Sequence, residues 1–95
     1  MDLELSGKVA LVTGASRGIG QGIALRLAEE GMAVALAARD EGRLTALAAQ
    51  IEERGGRALV HRTDLRDSAA PGAFVEAAMV KFGRVDLVVN NAGAT

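Results

Sequence analysis

Thr13-Gly14-Ala15-Ser16-Arg17-Gly18-Ile19-Gly20 is the stretch of this sequence whose residue types and spacing are best suited to chemistry. Glycine lets a backbone turn sharply and approach a ligand closely. A helix following such a turn presents free N–H groups and the positive end of its dipole to an anion. Ser16 adds a hydroxyl donor and Arg17 a fixed cation. The combination describes a binding place for a phosphate group. Its spacing is Gly, three residues, Gly, one residue, Gly, and departs from the G-x-G-x-x-G of many dinucleotide-binding turns. Taken alone, the stretch reads equally well as a tight turn that needs glycine for its backbone angles.

Other chemistries find little support. His61 is the only histidine and there is no cysteine, which excludes a disulfide framework and any thiolate metal site. His61 reads as a half-exposed structural residue on a strand. The 11 Lys and Arg side chains against 12 Asp and Glu leave a net charge of −1, which rules out an overall basic footprint for nucleic acid. Arg54, Arg57, Arg62 and Arg66 are interleaved with Glu52, Glu53, Asp64 and Asp67, the pattern of a solvated face. The acidic start Met1-Asp2-Leu3-Glu4-Leu5-Ser6 carries no apolar signal-peptide segment, and no apolar run approaches the ~20 residues of a membrane span. No membrane partner and a cytoplasmic location are therefore expected. Aromatic residues make up only 2% of a chain that is 49% hydrophobic, so small and aliphatic side chains must build the core. There is no tyrosine.

The elements that position the glycine stretch follow from regular punctuation. Residues 8–13 (K-V-A-L-V-T) form a short apolar run that meets the glycines, as a buried strand would. After them, Ile19, Ile23, Leu27 and Ala28 share a helical face, and Gly31 stands where a left-handed cap would end the helix. Ala33–Ala38 reads as a second buried strand. Leu44, Leu47, Ala48 and Ile51 recur at i, i+3, i+4, i+7 and predict an amphipathic helix that stops at Gly55-Gly56. Residues 57–62 read as a third, weaker strand. Val75, Ala78, Met79 and Phe82 predict one face of a third helix, with Asp67 or Ser68 as its N-cap, Pro71 in its first turn and Gly83 as its end. Residues 85–90 (V-D-L-V-V-N) predict a fourth strand.

The order β-α-β-α-β-α-β, with a dozen or more residues between strands, implies a parallel α/β sheet. Three helices cover both faces of four strands poorly, so the last strand is expected at an uncovered edge. The predicted fold class is a partial, Rossmann-type doubly wound parallel sheet, truncated after the fourth strand.

The string T-G-A-S-R-G-I-G resembles the glycine motif of the short-chain dehydrogenase/reductase family. Asn90-Asn91-Ala92-Gly93 after the fourth strand and Asp64-Leu65 after the third resemble two further landmarks of that family, in the right order and at the right elements. The resemblance implies that Gly14, Gly18 and Gly20 shape the pyrophosphate turn, with Ser16 and Arg17 in the same loop. It implies that Ile19 supplies a backbone amide, that Asp64 accepts from the adenine amino group, and that Leu65 adds a backbone contact. Asn90 would touch the adenosine ribose, Ala92 and Gly93 would line the cofactor cleft, and Asn91 would tie the sheet together. It further implies a dinucleotide cofactor, a small-molecule carbonyl or alcohol substrate for the intact enzyme, and a homo-oligomer.

In dinucleotide folds an acid at the end of the second strand holds the ribose 2′-hydroxyl, whereas an arginine accommodates a 2′-phosphate. The family's acid would fall near Ala38, which cannot hydrogen-bond a ribose, and Arg39 follows at once. Arg39 with Arg17 would clamp a phosphate dianion, so NADP(H) is expected over NAD(H). Arg39 and Asp40 also read as a surface arginine and an acidic start for the next helix. The family's Tyr-x-x-x-Lys pair does not occur within these residues. The expectation is that residues 1–95 form the N-terminal part of one dinucleotide-binding domain, the catalytic C-terminal part being absent. Two other readings stay open, a short non-catalytic nucleotide-binding module and an inert, self-associating fragment.

Overall fold

The computed structural model describes residues 5–64 and 66–91. The element order is β1 (Val9–Thr13), α1 (Gly18–Glu29), β2 (Ala33–Ala38), α2 (Glu41–Glu53), β3 (Arg57–Arg62), α3 (Ala70–Phe82) and β4 (Leu87–Asn90). All four strands are parallel in one sheet of order β3-β2-β1-β4. The chain winds from β1 out to β3, then crosses back to place β4 on the other side of β1. The architecture is thus the Rossmann-type α/β sheet anticipated from the sequence.

β1 and β2 are buried along their whole length, which is why their residues are almost all apolar and show no alternation. One face of the sheet, through Ala10, Val12, Val34 and Leu36, packs against Ala24 of α1 and Leu44, Leu47, Ala48 and Ile51 of α2. The other face, through Val9, Leu11, Ala33, Ala35 and Ala37, packs against Phe74 and Ala78 of α3. Two helices therefore cover one side and one covers the other. β4 lies at the sheet edge beyond α3, with Leu87 and Val88 exposed.

Two predicted helix faces differ from the observed ones. In α3 the buried residues are Ala70, Phe74 and Ala78, spaced i, i+4, i+8, with Phe82 partly buried. Val75 and Met79, expected to face the core, are 42% and 45% exposed. This helix carries apolar residues all round and only Glu76 and Lys81 as charges, so spacing does not single out a face. In α1 the fully buried residues are Gly20 and Ala24, and Ile19 is 72% exposed. Small residues there let the helix start lie close against the sheet, turning the first large side chain outward.

The caps also explain themselves locally. Asp40 is the N-cap of α2 and accepts from the Arg43 N–H at 3.1 Å. Neither Asp67 nor Ser68 is the N-cap of α3. Ala69 holds that place, and Asp67 instead accepts from the Ala69 N–H at 3.0 Å in the turn before it. Pro71 sits in the first turn, where its missing N–H costs nothing, and Gly83 ends the helix in the left-handed region at φ 81°.

β4 begins at Leu87, two residues later than the apolar run, because Asp86 serves another purpose. Its Oδ2 accepts from the Val9 N–H at 2.8 Å while its own N–H donates to the Val9 carbonyl at 2.9 Å. Arg84 forks onto the same carboxylate with two bonds of 2.8 Å. These contacts clasp the edge strand to the start of β1 and hold the Asp86 carboxyl below its ordinary range, Arg84 first and the Val9 N–H second.

Leu36→Ala, at a side chain with no exposed surface, is expected to cost about 2–5 kcal/mol in chemical denaturation. Val80→Ala, at a site 82% exposed, should change stability by no more than about 0.5 kcal/mol. The Asp86 contribution has a defined sign with pH. Because its folded-state value is depressed, it stabilises the fold above the ordinary aspartate range and is lost as pH falls through the lower, folded value. The gap in thermal midpoint between the protein and Asp86→Asn should therefore be full at pH 7 and close below about pH 4.

Candidate functional site

Parallel pairing brings the C-terminal ends of all four strands to one edge, with β1 at the point where the strand order reverses. Ligands of open α/β sheets bind in the crevice at such a point. The registers Thr13↔Ala37, Thr13↔Asn90 and Ala38↔Arg62 fix which residues meet there.

The glycine turn leaves β1 with Gly14 at φ 63°, and Gly18 at φ 51° opens α1. Between them the Ala15 N–H is tied to the Ala37 carbonyl at 3.3 Å, and the Ala15 side chain is buried. The N-cap of α1 is Arg17, in extended backbone, with no side-chain cap and no acid in the first turn. The first N–H groups of the helix are therefore left for an external acceptor. Gly20 is held so close that a Cβ there would stand 2.7 Å from Asn91 Nδ2, and closer still to the Gly14 carbonyl oxygen. Backbone left-handedness at two glycines, an uncapped helix start and this close approach together suit the phosphates of a dinucleotide.

On the opposite wall the ends of β1 and β4 are laced together. The Asn91 N–H donates to Thr13 Oγ1 at 3.0 Å, and Asn91 Nδ2 donates to the Gly14 carbonyl at 3.4 Å. Thr13 Oγ1 lies 3.0 Å from Asn90 Oδ1 and 3.3 Å from the Val89 carbonyl, within donating reach of both. Asn90 Oδ1 thus faces the Thr13 hydroxyl, and Asn90 itself lines the cleft.

These walls enclose an open cleft of about 1350 Å³. Gly14, Ser16, Arg17, Gly18 and Ile19 line it, as do Arg39, Asp64 and Asn90. Gly20 is buried beneath the turn. Leu65, Ala92 and Gly93, also expected at the site, lie outside the described residues. Ala38, where a ribose-binding acid would stand, ends β2 with its small side chain nearly buried.

The electrostatics of the cleft were only partly visible in the sequence. Arg62 and Arg66 line it, although their run read as a solvated face. Arg54 instead pairs with Glu29 at 3.7 Å, and Arg57, at the far end of β3, lies over the Phe82 ring. The acids in the cleft are already engaged. Asp40 caps α2 and pairs with Arg43 at 3.2 Å, and Asp64 pairs with Arg66 at 2.7 Å. Hydrogen bonds from the Arg66 side chain, then from its backbone N–H, hold the Asp64 carboxyl well below the usual carboxylate range, with a weaker pull from Arg39. Arg17, Arg39 and Arg62 make no ion pair within 4 Å among the described residues. A chain of net charge −1 thus presents three unneutralised guanidinium groups to one crevice. His61 stacks on Phe74 with centroids 5.5 Å apart, a packing role.

Among the described residues no group of three or more His, Asp or Glu could hold a metal ion, and no helix is long and apolar enough to cross a membrane. Arg62, Arg66 and Asp86 are residues to which sequence reasoning gave no role in the site, and Thr13 was read only as the first residue of the glycine stretch. The signal available for Arg62 and Arg66 was their flanking of Asp64 at two residues on either side.

Comparison with known proteins agrees with this geometry. The sequence profile described as short chain dehydrogenase matches residues 8–95. The 7alpha-hydroxysteroid dehydrogenase of Escherichia coli (strain K12) is 36% identical over 92 residues, which are 97% of this chain and 36% of that protein. The crystal structure of L-sorbose reductase from Gluconobacter frateurii, complexed with NADPH and L-sorbose, matches with a TM-score of 0.92 at 42% identity. That match covers 98% of this chain and 36% of the other. A short chain dehydrogenase/reductase from Burkholderia phymatum in complex with NAD matches with a TM-score of 0.86 at 37% identity, over 90% of this chain and 31% of that one. The chain spans well under half of the length of the curated relatives it matches, from 23% to 37% of theirs. A profile match across nearly the whole chain, over a parallel sheet that carries its glycine turn at the switch point, has one reading: the chain belongs to the short-chain dehydrogenase family.

Proposed function

We propose that these residues are the NADP(H)-binding part of a short-chain dehydrogenase/reductase that transfers hydride between NADP(H) and a carbonyl or alcohol substrate. The observation that carries this reading is the meeting, in one cleft, of the glycine turn with three guanidinium groups that have no carboxylate partner among the described residues. A relative of known structure holds NADPH, another holds NAD, so the choice between them rests on the arginines.

In this reading the N–H groups at the start of α1 donate to the pyrophosphate oxygens, and Gly14, Gly18 and Gly20 keep side chains out of its way. Arg39, next to the small Ala38, and Arg17 neutralise a 2′-phosphate. Asp64 accepts from the adenine amino group, and Asn90 donates to the adenosine ribose. NADP(H), when bound, supplies the hydride chemistry. The proton that must accompany a hydride would come from the family's Tyr-x-x-x-Lys pair, which is not among these residues. Substrate, cytoplasmic location and homo-oligomeric assembly belong to the same proposal as properties of the whole enzyme.

Cofactor affinities measured by fluorescence titration test the assignments. Arg39→Asp should weaken NADPH binding at least about tenfold more than NADH binding, because only the former loses a charge-assisted contact. Equal losses would overturn the 2′-phosphate role. Asp64→Ala should weaken NADPH and NADH alike, by about tenfold each, since adenine is common to both. A loss confined to one cofactor would remove Asp64 from the adenine.

A further inference from the structure

The contacts of Asp64 go further than its place in the cleft. The Arg66 backbone N–H donates to Asp64 Oδ1 at 3.0 Å. Arg66 Nε bridges Oδ1 at 3.0 Å and Oδ2 at 3.2 Å, and Nη2 donates to Oδ2 at 2.7 Å. Three N–H groups of a single residue thus take hold of both carboxylate oxygens. A carboxylate offers about four lone-pair positions; the Nε–H is shared between the two oxygens and counts once, so three donors leave room for roughly one more.

Such a fork has more to do with orientation than with stability. The Arg66 side chain is 79% exposed and that of Asp64 36% exposed, and ion pairs so open to water add little to a fold. What a planar guanidinium does impose is a plane and a direction. A free aspartate at a cleft mouth samples several rotamers and loses that freedom on binding. One already clamped by a bidentate arginine has its remaining acceptor position set beforehand. The backbone N–H contact reinforces the same orientation, since it ties the carboxylate to the local chain whatever the arginine side chain does.

We infer that Arg66 is a positioning residue for cofactor binding, which aims the remaining acceptor position of Asp64 at the amino group of the adenine. The inference rests on the reading of the cleft as a NADP(H) site with Asp64 at the adenine. The same contacts keep Asp64 ionised well below the usual carboxylate range, so it stays an acceptor in mildly acidic solution. Arg66 does not touch the cofactor in this arrangement; it acts through Asp64.

The test compares NADPH with its hypoxanthine analogue, in which the adenine amino group is replaced by an oxo group, using the full-length protein and Arg66→Met. The variant keeps an unbranched apolar stem and removes every side-chain donor. The unaltered protein should prefer NADPH over the analogue by about tenfold. Arg66→Met should reduce that preference to roughly twofold or less, through weaker NADPH binding, while binding the analogue about as well as before. Unchanged affinity for the analogue also shows that the variant is folded, a result a merely structural role would not produce. Retention of the full preference by Arg66→Met overturns the inference, as does tighter NADPH binding, which would make the fork a competitor for the carboxylate. No preference in the unaltered protein would instead remove the Asp64–adenine contact, and the inference with it. In that case the Arg39→Asp comparison still judges the 2′-phosphate reading separately.

Discussion

The close seat of α1 against the end of β1 is the constraint on which the rest of this structure depends. Gly20 lies where a single added carbon would collide with the Gly14 carbonyl and Asn91. That contact sets the start of the helix directly over the switch point of the sheet, with its first N–H groups open. The same contact draws β4 into the junction. Asn91 reaches back to the Gly14 carbonyl while its N–H meets Thr13 Oγ1. One hydroxyl, one carbonyl and two asparagines thereby join the glycine turn, the first strand and the last. At the opposite end of the strands Asp86 makes a second clasp, between β4 and Val9. An edge strand of four residues, exposed on much of its surface, is thus fixed at both ends.

Charge is distributed by the same economy of contacts. The molecule has slightly more acids than bases, yet its cleft favours an anion because the acids around it are already engaged. Asp40 is turned to its own helix, and Asp64 to the residue two places on. Arg17, Arg39 and Arg62, each on a different element boundary, are left to face the same space. A count of charges cannot reveal this, since it depends on which carboxylates find partners locally.

The places where pattern and structure part company share a physical origin. Hydrophobic periodicity specifies a face only when the opposite face is polar. In α2 it is, and Leu44, Leu47, Ala48 and Ile51 are buried as their spacing predicts. In α3 apolar side chains surround the axis, and the sheet selected Ala70, Phe74 and Ala78 instead of the face through Val75 and Met79. In α1 the large residue Ile19 suggests a core position, but Gly20 and Ala24 permit the closer packing and Ile19 turns toward the cleft. The basic run around β3 divides for a similar reason. Arg57 and Arg62 stand at opposite ends of one strand, so neighbours in sequence serve different surfaces.

By itself the sequence determined what local chemistry determines. Short apolar runs broken by glycine specify strands of the right number and place. A glycine-rich turn before a helix specifies an anion site, and helices long enough to cross over specify a parallel sheet. Strand order, register and the pairing of charged groups were decided only in the tertiary structure, because they depend on contacts between residues up to 78 positions apart. Thr13 meets Asn91, Val9 meets Asp86, and Ala38 stands beside Arg62 only once the strands are laid side by side. No periodicity within one segment carries that information, since the energy that selects it is shared between segments.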